Sequence, residues 1–154
     1  MTARVALVTG GSRGIGEAIS KALKNAGFKV AATYHGNDEA AAKFRAETGI
    51  TVFKWDVAKF DDCKAGIAKV QAELGPVDVL VNNAGVTVRK LALEVTPEEW
   101  NEVQGVNLKG TFFMSQQMGR HLIQSRRPGC VISLASTHGM VGYPQRSTYG
   151  IAKA

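Results

Sequence analysis

A chain of 154 residues, 45% hydrophobic and 21% charged, is long enough for one domain with a sizeable core and too apolar to be disordered. Its net charge is +6, but the basic residues are scattered and not interleaved with aromatics, which argues against a nucleic-acid face. No apolar run approaches the ~18 residues needed to span a bilayer, and no leader-like segment precedes the first apolar run, so a cytosolic protein is expected.

Apolar periodicity alternates between strand and helix along the chain. "VALV" (5–8) reads as a strand buried on both faces. Ile15, Ala18, Ile19, Ala22, Leu23 and Ala26 then recur at helical spacing, and Gly27 stops that helix. "FKVAATY" (28–34) is a second strand, followed by an alanine-rich helix from about Asp38. "TVFKW" (51–55) is a third strand, and Asp61 is placed to cap a helix with Cys63, Ile67, Val70 and Leu74 inward. Gly75-Pro76 breaks that helix before "VDVLV" (77–81), the fourth strand.

Thr96-Pro97-Glu98-Glu99 is a capping box with proline at the first helical position. The helix it opens extends to about Gln124, with a kink expected near Gly105 to Gly110. "CVISLA" (130–135) is the fifth strand, with Ser136 at its end. The two cysteines, Cys63 and Cys130, lack metal-ligand spacing and are expected as small core residues in a reducing compartment. Strand–helix alternation of this kind predicts a doubly wound α/β fold, a parallel (Rossmann) sheet covered by helices on both faces.

In such a sheet, ligands bind beyond the carboxyl ends of the strands, where the winding reverses. The loop after the first strand, "TGGSRGIG" (9–16), lies there. Gly10, Gly14 and Gly16 suit a tight turn, a close backbone approach to a pyrophosphate, and close packing of helix on strand. The helix N-terminus that follows offers free N–H groups to phosphates. Enzymes using NAD usually carry an acid about twenty residues past these glycines, to bind the ribose 2′-OH. Here the second strand ends "ATYHGN" (32–37), with no acid before Asp38. Arg13 instead suits a 2′-phosphate, helped by Ser12 or by the Thr33-Tyr34 edge, and NADPH is the expected cofactor.

Tyr149 and Lys153 are four residues apart and share a helix face. A free phenol ionises near pH ~10, so acid–base work near neutrality needs about 4 kcal/mol of phenolate stabilisation. An ammonium held close in a partly dry site supplies much of it. Ser136 is placed to hydrogen-bond an oxygen on which charge develops. Taken singly, each has another reading: Ser136 as a helix cap, Asn107 as a turn residue, Asp56 as a helix lead-in. His138 has no second ligand at metal spacing and reads as pocket lining, so no catalytic metal is expected.

The spacing Gly-x-x-x-Gly-x-Gly after Thr9, "NNAG" (82–85) behind the fourth strand, Asn107 in "VNLKG", Ser136, and Tyr149-x-x-x-Lys153 together resemble the short-chain dehydrogenase/reductase family over the whole chain. The resemblance implies a cofactor site lined by Gly10, Ser12, Arg13, Gly14, Ile15, Gly16, Asp56, Val57, Asn83, Ala84 and Gly85, with Tyr149 and Lys153 at its nicotinamide end. It implies catalysis by Ser136, Tyr149 and Lys153, with Asn107 holding a water that leads from Lys153 to solvent. "GNDEAAAKFRAETGI" and "VFKWDV" are similar to bacterial acetoacetyl-CoA reductases, relatives of the 3-oxoacyl-acyl-carrier-protein reductases. That likeness implies reduction of a 3-oxoacyl thioester, in the former case feeding polyhydroxybutyrate synthesis. Residues 137–148 depart from that pattern at Met140, Tyr143 and Arg146, and resemble a sugar, polyol or alcohol dehydrogenase of the family. A non-catalytic NADP(H)-binding regulator is the reading from another class, disfavoured by the intact Ser136–Tyr149–Lys153 set.

The chain stops at "YGIAKA", barely one turn into the helix carrying Lys153. In the family that helix runs on, packs in a homotetramer, and is followed by further strands. Residues 1–154 are therefore expected to be part of a homo-oligomeric reductase of roughly 240–260 residues, inactive alone. A sheet order 3-2-1-4-5 is expected to leave the fifth strand as an exposed edge.

Overall fold

The computed structural model describes residues 3–154. Five parallel strands form one sheet: β1 (Val5–Val8), β2 (Lys29–Tyr34), β3 (Thr51–Lys54), β4 (Val77–Asn82) and β5 (Cys130–Ser133), in the order β3-β2-β1-β4-β5. This is the doubly wound α/β architecture and strand order that the alternating pattern predicts. β1 lies in the centre, in register with β2 from Val5↔Lys29 to Val8↔Ala32 and with β4 from Ala6↔Val79 to Val8↔Val81.

The pleat sends alternate residues of β1 to opposite cores. Val5 and Leu7 join Cys63, Ile67 and Val70 of helix α3 (Phe60–Leu74) and Met114 and Met118 of helix α5 (Thr111–Ser125). Ala6 and Val8 face the other way, toward Phe44 of α2 (Asp38–Thr48) and Ile19 and Leu23 of α1 (Gly14–Asn25). Helix ends follow local chemistry. Asn37 Oδ1 accepts from the Ala40 N–H at 2.9 Å to start α2, which ends at Gly49 with φ 67°. Thr96 and Glu99 form the reciprocal capping box at the start of α4 (Pro97–Gln104). At the amino ends of the strands, the buried Asp78 accepts from the Val5 N–H at 2.8 Å and from Arg127 at 2.7 Å.

Several local expectations are corrected. The face α1 turns to the sheet is Gly16, Ile19, Ser20 and Leu23; Ile15, Ala18, Ala22 and Ala26 are exposed. Close approach of this helix to the glycine loop needs small residues, so Gly16 and Ser20 take inward positions that hydrophobicity alone does not mark. Helix α3 begins at Phe60 with Lys59 in the cap position, and Asp61 lies inside its first turn rather than capping it. The long helix from Thr96 is continuous to Ser125, and the expected kink is a π-helical stretch, Gly105–Gly110, between α4 and α5. β5 ends at Ser133, three residues before Ser136. Cys63 is buried, its thiol pushed up to about 11 by burial first and by the nearby Asp62 and Asp56 charges. Cys130 is exposed on β5, because among the described residues that strand pairs only with β4 and all four of its residues are exposed. No helix among the described residues is long and apolar enough to cross a membrane.

Candidate active site

The glycine loop is braced from behind by β4. Thr9, only 2% exposed, accepts at its hydroxyl from the N–H groups of Asn83 and Ala84, both at 3.0 Å, and donates to the Val81 carbonyl at 3.3 Å. Asn83 Nδ2 donates to the carbonyls of Thr9 and Gly10 at 2.9 and 3.1 Å. Gly10, at φ 61°, donates its N–H to Thr33 Oγ1, tying the loop to the end of β2. A Cβ on Gly16 would lie 2.2 Å from the Gly10 carbonyl oxygen, so α1 docks on the loop only without a side chain there.

Gly11 is as constrained, since its Cβ would meet Ser20 Oγ and Val8 O, both at 2.8 Å. Thr9, Gly11 and Ser20 thus join the residues that shape the loop. Gly11 and Ser20 lie at its core-facing side, where spacing arguments centred on the ligand do not look.

Beyond the loop runs a groove of about 780 Å³, bounded by Gly10 to Gly16, Thr33 to Asn37, Trp55 to Ala58 and Asn83 to Val86. Arg13 occupies the cap position of α1 without a side-chain capping bond, and the first-turn residues Gly14, Ile15 and Gly16, whose N–H groups have no partner within the helix, line this groove. Open donors at a helix N-terminus, beside a glycine of φ 56° at position 14, fit a dinucleotide pyrophosphate. Ser12 is buried, whereas Arg13 is exposed and has no acidic partner among the described residues. Asp38 is engaged by Lys54 at 2.8 Å and by the Tyr34 hydroxyl at 3.0 Å. Asp56 accepts from the Ala58 N–H at 2.9 Å, so it shapes the lead-in to α3 and lines the groove at once.

The groove continues, through Ile15, Asn83, Gly85 and Val86, into a second cavity of about 390 Å³ holding Ser136, His138, Tyr149 and Lys153. Ile15, 69% exposed, stands where the two cavities meet. Ser136 caps a 3-10 turn, Thr137–Gly139, and its Oγ accepts from the His138 N–H at 3.2 Å. The capping and the catalytic reading of Ser136 are compatible, because that bond occupies a lone pair and leaves the hydroxyl proton for a ligand oxygen.

Tyr149 and Lys153 both lie on α6 (Ser147–Lys153). Lys153 Nζ donates to the Leu134 carbonyl at 2.7 Å and sits 5.9 Å from the centre of the Tyr149 ring. Burial lowers the Lys153 ammonium below its usual range, so its proton is held less firmly than on an exposed lysine. The His138 ring lies edge-on to Tyr149 at 5.8 Å and beside Tyr143 at 5.0 Å, as a wall of this cavity.

Asn107, 3% exposed, sits within the π-helical stretch. Its Oδ1 accepts from the Val86 N–H and its Nδ2 donates to the Val86 carbonyl, each at 2.8 Å. Both polar atoms of the side chain are thereby used to hold the loop after β4, which makes Asn107 a positioning residue in this geometry. Of the expected site residues, all but Asn107 line one or both cavities.

A short-chain dehydrogenase family model matches residues 4–154. The chain belongs to the short-chain dehydrogenases. Among its relatives, an acetoacetyl-CoA reductase of Shinella zoogloeoides is 53% identical over 98% of this chain and 62% of its own length. A second, from Rhizobium meliloti, is 52% identical over the same shares. A 3-oxoacyl-[acyl-carrier-protein] reductase of Staphylococcus aureus is 40% identical over 97% of this chain and 62% of its own. The fold superposes on a short-chain dehydrogenase from Bacillus anthracis with a TM-score of 0.92 at 27% identity, covering 97% of this chain and 64% of that one. This chain therefore spans about 62% of the length of the curated short-chain dehydrogenases it matches.

Proposed function

We propose that residues 1–154 are the cofactor-binding and catalytic part of a longer, NADPH-dependent reductase that converts a 3-oxoacyl thioester, such as acetoacetyl-CoA, to its 3-hydroxyacyl product. The observation that carries this reading is the convergence of Ser136, Tyr149 and Lys153 on one cavity continuous with the glycine-loop groove. The names of the relatives supply the thioester. The nicotinamide, when bound, supplies a hydride to the carbonyl carbon. The Tyr149 hydroxyl donates the proton that the ketone oxygen takes up, and accepts it in the reverse direction. The Ser136 O–H donates to the same oxygen while negative charge builds there. Lys153, anchored on Leu134, supplies positive charge beside the phenol ring. Asn107 fixes Val86 at the junction of the two cavities.

Selectivity for NADPH rests on Arg13, exposed at the groove with no acidic partner among the described residues, and on the engagement by Lys54 of Asp38, the first acid after the second strand. Arg13→Ala in the complete protein should weaken NADPH ten- to a hundredfold while leaving NADH little changed, because a charge-assisted contact contributes about 1.5–3 kcal/mol. Equal losses for both cofactors, read by fluorescence titration, would mean that Arg13 only shapes the loop. A sugar, polyol or alcohol substrate is the second reading, favoured by the departure of residues 137–148 from the acetoacetyl-CoA reductase pattern at Met140, Tyr143 and Arg146. Turnover of acetoacetyl-CoA, longer 3-oxoacyl thioesters, ketoses and simple ketones by the complete protein separates the two. A tenfold preference for ketoses would sink the thioester assignment. A homo-oligomer is part of the proposal, and the exposed Leu108, Phe112 and Ile123 on the long helix suit a subunit contact.

A further inference from the structure

The cavity at Ser136 and Tyr149 holds a cation that proton transfer does not use. Arg146 is half-buried, lines this cavity, and directs its guanidinium at the Thr87 hydroxyl. A guanidinium has five N–H donors in a rigid fork, and no carboxylate pairs with this one among the described residues. None of the described residues lining the cavity is an aspartate or glutamate. The contrast with Arg127 is direct, because that arginine is engaged by the buried Asp78 at 2.7 Å.

The backbone under Arg146 is built rather than loose. Gln145 is held at φ 59°, a left-handed conformation that costs a non-glycine residue free energy. Its carbonyl accepts from the Lys90 N–H and its Oε1 from Arg89 Nε, each at 3.2 Å. The loop before α6 is thereby latched to the loop after β4, with Arg146 at the seam. Arg89 adds a second positive charge at this rim, while that of Lys90 is answered by Glu99 at 2.8 Å. A positioned, acid-free guanidinium lining the cavity that also holds Ser136 and Tyr149 favours an anion there.

We propose that Arg146 is a specificity-determining residue that selects ketones carrying an anionic oxygen, carboxylate or phosphate, within reach of this cavity. The proposal rests on the reading of the cavity as the ketone site, and extends it to the charge of the substrate.

The test uses the complete protein and pairs of ketones that differ in the anionic group. The pairs are acetoacetate against its methyl ester, acetoacetyl-CoA against the acetoacetyl N-acetylcysteamine thioester, and a ketose phosphate against the free ketose. Wild type should favour the anionic member at least tenfold in kcat/KM in one pair, and that pair names the source of the charge. Arg146→Gln should lower this ratio ten- to a hundredfold, and Arg146→Lys should keep part of it. Added salt should erode the preference in wild type. Equal losses on both members of every pair, or no preference in wild type, would overturn the proposal. A readout without turnover separates it from the reductase reading. Malonate or inorganic phosphate should raise the Tm of the wild-type protein and not that of Arg146→Gln. No difference between the two would overturn the anion site even in a protein that reduces ketones, and a clear difference would uphold it in one that reduces none of them.

Discussion

The two ends of the groove are built on opposite rules. Behind the glycine loop, the polar side chains of Thr9 and Asn83 are bonded to the protein itself: Thr9 makes three hydrogen bonds and Asn83 Nδ2 makes two. At the far end, polar groups of Ser136, Tyr149 and Arg146 are left open. Ser136 has one bond, accepted through a lone pair, and the Tyr149 hydroxyl has no partner among the described residues. Arg146 has a single hydroxyl. A loop that must offer backbone N–H groups to phosphates gains from being rigid, whereas groups that must hand over a proton need an unspent valence.

The largest effect should come from the open end. Tyr149→Phe removes one oxygen and no internal hydrogen bond, so kcat of the complete protein should fall by about 10²–10⁴ with little change in stability or NADPH affinity. Comparable turnover in variant and wild type would break the comparison at once. The closed end should respond in the opposite currency. Thr9→Val leaves the half-buried Asn83 and Ala84 N–H groups without their acceptor, at up to about 1–3 kcal/mol each. Urea unfolding should report that loss, and cofactor affinity should drop with it; an unchanged midpoint would mean that the brace is slack.

A third substitution, outside the groove, calibrates the other two. Burial raises the Asp78 carboxyl, but the Arg127 guanidinium, the Val5 N–H and the Arg4 charge outweigh it and hold the group below the usual carboxylate range. A depressed carboxyl stabilises the fold fully above its unfolded value near ~3.9, and that contribution fades as pH falls through the folded value. Asp78→Asn should therefore cost about 1.5–3 kcal/mol at pH 7 and progressively less below about pH 4, without selective loss of cofactor binding. A penalty independent of pH would show that shape, not charge, matters there.

The strands, their order and the capping box were legible because each rests on a local pattern: the run at Val5–Val8, the Thr96–Glu99 spacing, the breaks at Gly27 and Gly75. The placement of the glycine loop between β1 and α1, and of Tyr149 and Lys153 on one helix, was legible for the same reason. What escaped was tertiary. The face of α1 was read as Ile15, Ala18, Ile19, Ala22, Leu23 and Ala26, of which Ile19 and Leu23 pack on the core, because nothing in a hydrophobic period marks Gly16 and Ser20 as the residues that must fit against the glycine loop. Cys130 was assigned to the core, because a short apolar run predicts a strand but not whether a second strand or a helix covers it. The side-chain bonds of Asn107 to Val86 also escaped, because no motif spacing specifies a partner 21 residues away.

The π-helical stretch at Gly105–Gly110 sets the phase of the longest rod in the molecule. Each extra residue in a turn rotates everything downstream by about 100°. That offset lets one unbroken helix turn α4 toward α6 and α5 toward α3 and β4. Deleting a single residue inside the stretch would leave a helix with good propensity and sound backbone bonds, but wound to the wrong angle. Met114 and Met118 would swing away from the core they fill. An insertion or deletion here is thus a rotation in disguise, and its damage would appear a full two turns away from the altered residue.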